Sequence, residues 1–216
     1  MRNRSLCGHR FLIATLGVLA FLVGGWQLTS SPPAKAQGLE PVSRVNALYI
    51  ALLDTMKKAK ELGPRGRYDK LLPVIKNSFD VAGMMQIAAG AGWETASPAQ
   101  QTALVDAFLQ MMTATYASRF DGFAGENFEV FPAVDQPPSD KLVRTRLVQS
   151  NGKTVTLNYL MRRTAEGWKI ADVYLDGTIS ELAARRAEFS SIMKSGGPVM
   201  LANSLRLKAD KLLSGT

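Results

Sequence analysis

The two most reactive side chains of this sequence stand almost together. Its single cysteine, Cys7, and its single histidine, His9, both fall in the opening segment MRNRSLCGHR. If that segment is removed, the remaining chain has no thiol and no imidazole. Cysteine nucleophiles, Ser-His-Asp triads, disulfides and His- or Cys-based metal sites are then excluded. Carboxylates, Lys, Tyr and Ser are left for chemistry. Asp172 is the best placed of the carboxylates, because it lies inside the strand-like segment WKIADVYLD. A buried Asp in a small cone-shaped fold can serve as a proton-transfer base, and the plainer reading is a hydrogen-bonded structural Asp. Ser150–Lys153 and Ser191–Lys194 match a Ser-x-x-Lys spacing, but no Lys-Thr-Gly follows and Ser150 borders a hairpin turn. Gly90 and Gly92 follow a helical pattern rather than a strand, which is the wrong context for a nucleotide loop.

Removal of the opening segment is what the sequence predicts. Arg2, Arg4 and Arg10 precede the uncharged run FLIATLGVLAFLVGGWQL at 11–28, and Ala34-Lys35-Ala36 follows. A basic start, an apolar centre and an A-x-A site describe a secretory signal peptide, with cleavage after Ala36. Pro32 and Pro33 hold the site in extended chain. The alternative is an uncleaved anchor, since the run is near the minimum for a bilayer span. No Cys follows the run to carry a lipid anchor, and no later stretch is apolar enough to span. Residues 37–216 then form a single domain with room for a core. Cleavage removes four of the 26 Lys and Arg and none of the 18 Asp and Glu, so the net charge falls from +8 to +4. No basic stripe with interleaved aromatics remains, and a nucleic-acid partner is not expected.

The elements that position the remaining residues follow from periodicity. Residues 41–62 repeat apolar positions at spacings of three and four through Val42, Val45, Leu48, Tyr49, Leu52, Leu53 and Met56, predicting a helix stopped by Gly63-Pro64. A shorter helix is predicted over 67–78, and another after Asp80 that ends at Gly90. Ser97-Pro98 starts a long helix that runs to about Phe120. The period then changes to two. Strands are predicted over 127–134, 141–150, 153–164 and 168–176, with turns at Asn151-Gly152 and Glu166-Gly167. Helix returns over 178–194, breaks at Gly196-Gly197, and resumes from Pro198 to about Leu213. The fold class is α+β: an antiparallel meander of three to four strands packed against N- and C-terminal helices. Such a helix-on-sheet domain can leave an apolar pocket between its layers.

Eight methionines remain after cleavage, and several share apolar faces with Phe and Tyr. Methionine adapts to variable apolar shapes, although an ordinary core also uses it as filler. Arg144, Arg146, Arg162, Arg163, Lys169, Arg185 and Arg186 form loose basic pairs that could rim a pocket and meet a phosphate, or face an acidic partner, or simply make a solvated face.

Two long stretches carry a family likeness. One is GWETASPAQQTALVDAFLQMMTATYASRFDGFAGENFEVF and the other GWKIADVYLDGTISELAARRAEFSSIMKSGG. In their order along the chain they resemble the MlaC-like family of periplasmic lipid shuttles, also called toluene-tolerance auxiliary transport proteins. The likeness covers roughly 40–210. The stretch YDKLLPVIKNSFDVAGMMQIAAGAGW is most similar to the hopanoid-associated branch. The resemblance implies a non-enzymatic periplasmic carrier with no cofactor and no metal. It would hold a phospholipid or hopanoid-like lipid by its tails and exchange it with an inner-membrane ABC transporter complex and its substrate-binding ring, and with an outer-membrane lipid donor or acceptor. It also implies that Met and aromatic positions line a pocket, without selecting which. From the faces read above, the expected tail contacts are Met85, Phe108, Met112, Leu147, Leu157, Tyr159 and Met161. Arg144, Arg146, Arg162 and Arg163 are the expected head-group or partner-docking residues, reaching a pocket only at a strand end, since alternation turns most of them away from the apolar row. Two competing readings are a lipid-free envelope adaptor and an acid–base enzyme using Asp172.

Overall fold

The computed structural model describes residues 40–214; the apolar run and the expected cleavage site lie outside them. Helix α1 (Pro41–Lys57) begins with Pro at its first turn and buries Val45, Leu48, Tyr49, Leu52 and Met56 of the predicted stripe, leaving Val42 and Leu53 at its partly exposed edges. It ends at Lys57, earlier than Gly63, with Lys58 as its cap, and α2 (Ala59–Ser78) follows at once. Gly63 kinks α2 with φ 60 and ψ 179, because the ring of Pro64 bars helical geometry from the preceding residue. Asp80 caps α3 (Val81–Ala89), accepting from the Gly83 amide at 3.0 Å. The short α4 (Ala91–Thr95) was not expected from the sequence.

Helix α5 (Pro98–Arg119) opens with a capping box: the Ser97 hydroxyl accepts from Gln100 N–H, and Ser97 N–H donates to the Gln100 side chain. Eight of its residues are buried between the other layers. The expected strand at 127–134 is two short ones, β1 (Asn127–Val130) and β2 (Val134–Gln136). Pro132 lies between them, and proline cannot donate to a ladder. Both pair antiparallel with β3 (Asp140–Val148). Strands β4 (Thr154–Thr164) and β5 (Gly167–Leu175) continue the meander, and β6 (Ile179–Ser180) closes its far edge. The order is β1-β3-β4-β5-β6, all antiparallel.

The register sets the faces. Thr145 pairs with Leu157 and Leu157 with Leu175; Val143 pairs with Tyr159 and Tyr159 with Val173. These side chains share the face that packs against the helices. A bulge between Leu160 and Met161 shifts the pairing, so Met161 opposes Ile170. Helix α6 (Glu181–Ser214) kinks at Gly197, φ 68, before Pro198, where the sequence predicts two helices. The core joins the inner rows of the sheet to α1, α2, α3, α5 and α6. No helix among the described residues is long and apolar enough to cross a membrane.

Candidate functional site

A cavity of about 120 Å³ lies between the sheet and α5. Its wall on α5 is Phe108, Met111, Met112, Thr115, Tyr116 and Arg119, with Phe120 just past the helix end. Those positions recur every three or four residues and so occupy one face. The sheet supplies Leu157 and Tyr159 from β4 and Val173 and Leu175 from β5, two cross-strand pairs. Phe79 and Met84 come from the α2–α3 junction, and Glu181, Leu182 and Arg185 from the first turns of α6.

Aromatic contacts stiffen one end: Tyr116 sits edge-on to Phe79 at 5.7 Å and stacks on Phe120 at 5.7 Å. Burial pushes the phenols of Tyr116 and Tyr159 well above the usual range, so both are neutral donors in an apolar setting. Next to Tyr159, the Tyr49 hydroxyl lies 2.5 Å from Thr145 Oγ1, whose own proton goes to the Leu157 carbonyl at 2.5 Å. That chain fixes the sheet side of the cavity to α1.

Charge is confined to the rim. Arg119 is exposed and makes no ion pair or side-chain hydrogen bond among the described residues. Arg185 is partly exposed and held by Glu181 at 3.7 Å and Glu188 at 3.3 Å. The start of α6 is fixed from the sheet: Asp172 accepts from Val173 N–H (2.7 Å), Leu182 N–H (3.0 Å) and the Ser180 hydroxyl (2.5 Å). Ser180 in turn accepts from Ala183 N–H at 2.9 Å. Asp172 is therefore engaged in joining β5 to a helix N-terminus, where a carboxylate is favoured, and it does not line the cavity.

Of the seven expected tail contacts, Phe108, Met112, Leu157 and Tyr159 line this cavity, while Met85, Leu147 and Met161 do not. Met85 is fully buried one helical step from Met84, on a different side of α3. Leu147 lies further along β3, paired with Val155 and Phe128. Met161 lies beyond the bulge, toward Trp168. None of the four expected arginines reaches the rim. Arg144 is exposed on the outer face of the sheet. Arg146 pairs with Glu129 at 3.5 Å, Arg162 grips Asp140 through two bonds (3.3 and 2.8 Å), and Arg163 covers Trp168 at 5.9 Å. The other lining residues, among them Arg119, Tyr116 and Thr115 on α5, are not in the expected set. The signal for those three was present, since each falls on the α5 face already marked by Phe108 and Met112.

Residues 46–207 match the family described as MlaC protein. Among solved structures, this chain is similar to a phospholipid-binding protein from Ralstonia solanacearum, determined in complex with a phospholipid. The TM-score is 0.70 at 23% identity, with 81% of this chain and 99% of that chain covered. With a family match running from within α1 to the last turns of α6, the chain belongs to the MlaC family.

Proposed function

We propose that this protein is a phospholipid carrier, binding lipid tails between its sheet and α5 without covalent chemistry. The observation that carries the reading is an apolar cavity with arginines only at its rim, in a member of the MlaC family. The phospholipid in the similar solved structure supports the same ligand class. Each buried tail methylene contributes about 0.8 kcal/mol, so affinity does not require polar contacts deep inside. At about 120 Å³ the cavity is smaller than the ~300 Å³ typical of small-molecule pockets. Tails must therefore widen it, and Met84, Met111 and Met112 are side chains that adapt. Arg119 and Arg185 take the place of the four strand arginines as head-group contacts, since a guanidinium matches a phosphate. A neutral hopanoid would make no use of them.

The carrier acts after export. Cleavage follows Ala36, residues 37–216 form the working domain, and the compartment is the periplasm. Its exchange partners are an inner-membrane ABC transport complex and an outer-membrane lipid donor or acceptor. The enzyme reading is disfavoured by the use of the Asp172 carboxylate in capping α6.

The test is native mass spectrometry on residues 37–216, purified without detergent, with released ligands identified. The expected result is a stoichiometric adduct of phospholipid mass. A clean protein mass, together with no uptake from phospholipid vesicles, would overturn the carrier and favour the lipid-free adaptor.

A further inference from the structure

We propose that the surface formed by the α1–α2 turn and the loop after α5 docks on an anionic phospholipid bilayer. A shallow depression there is lined by Met56, Lys57, Lys58, Lys60 and Phe123, together with the carboxylates Glu61 and Asp121. Phe123 is 43% exposed, and the Lys57 ammonium lies 5.3 Å above its ring. Lys58 is shared with Asp54 at 3.3 Å, whereas Lys60 makes no ion pair among the described residues. Arg119, the last residue of α5, adds a further cation with no ion pair among the described residues. An exposed aromatic ring flanked by lysines is the combination that settles at a membrane surface. The ring enters the boundary between head groups and acyl chains, and the cations meet lipid phosphates.

Two features place this surface beside the cavity and hold it firm. Phe120 lines the cavity, and Phe123 follows it by three residues. The buried guanidinium of Arg67 donates to the Ala117 carbonyl at 2.8 Å and to the Ala59 carbonyl at 3.1 Å. It thereby fastens the start of α2 to the last turns of α5, where carbonyls lack helical partners. Bilayer contact at Phe123 thus brings the rim residue Arg119 to the membrane. The use of this contact for handing over lipid rests on the carrier reading; the contact itself does not.

The experiment is co-sedimentation of residues 37–216 with vesicles of phosphatidylglycerol and phosphatidylcholine, or of phosphatidylcholine alone, at low and high salt. The wild type is expected to bind the mixed vesicles at low salt, and not the neutral ones. Lys57→Glu with Lys60→Glu lowers binding by about tenfold or more, as two reversed charges at a lipid surface require. Phe123→Ser weakens it by several fold. Arg144→Glu, on the outer face of the sheet, leaves it unchanged. All of these variants keep the lipid load seen by native mass spectrometry, which separates failure of docking from failure of the carrier reading. Absence of wild-type binding to mixed vesicles overturns the proposal and leaves the patch to an acidic protein partner. Equal binding by the double variant, or equal loss with Arg144→Glu, also overturns it.

Discussion

Leu157→Trp tests the cavity assignment most directly. Leu157 is half-buried on the inner face of β4, opposite Leu175, and lines the cavity together with α5. The indole adds about six heavy atoms to a space of about 120 Å³. If each displaces one tail methylene worth about 0.8 kcal/mol, the upper limit is about 5 kcal/mol. The methionines can yield and the tail can shift, so about half is expected, near 2.5 kcal/mol. At 1.4 kcal/mol per tenfold, phospholipid binding weakens by roughly 60-fold. Overpacking in the empty protein costs about 1–3 kcal/mol of stability, which a urea melt measures separately. Leu147→Trp is the paired control. It stands in the same apolar row of the sheet but outside the cavity, and binding should hold within about twofold. The assay is transfer of a fluorescent phospholipid from vesicles to the folded variants. Wild-type transfer by Leu157→Trp, or equal losses for the two variants, would refute the assignment.

The remaining predictions concern stability. Burial in the core raises the Tyr49 phenol to about 12, outweighing its hydrogen bond to Thr145. The neutral phenol thus contributes stability that is fully present below pH 10, its value when unfolded, and is lost as pH rises through 12. The loss is about 3 kcal/mol, and Tyr49→Phe should flatten the urea stability profile between pH 10 and 12. An unchanged profile would mean that Tyr49 ionises freely. Asp172→Asn removes one acceptor oxygen from the triple contact at the start of α6 and should cost about 1–3 kcal/mol. In thermal melts that is a fall of roughly 3–10 °C for a domain of this size. Lipid transfer by the folded fraction should persist; abolished transfer at full stability would give Asp172 a direct part in lipid handling beyond its contacts at the start of α6.

Much of the fold was legible because local rules specify it. The stripe of α1, the Asp80 and Ser97 caps, the Asn151-Gly152 turn and the Gly196-Gly197 break each depend on residues within a few positions of one another. Alternation along β4 was enough to put Leu157 and Tyr159 on the inner face. The short β2 and β6 were less legible, since three and two residues carry almost no period of their own. They exist because β3 and β5 offer free edges.

Sequence by itself thus determined which residues face inward, and the loss of Cys and His if the chain is cut after Ala36. It could not determine how far along a strand or helix the layers separate, because that depends on register and on helix placement. The bulge at Leu160/Met161 moves Met161 away from Tyr159's neighbours, and one helical step separates the lining Met84 from the core Met85. The same limit governed charge. The four strand arginines look alike in sequence, yet pairing across strands gives Arg146 to Glu129 and Arg162 to Asp140. Only the meeting of α5 with α6 brings Arg119 and Arg185 to one rim. Local periodicity fixes direction, whereas a cavity is a gap between surfaces distant in sequence, and its place is decided when those surfaces pack.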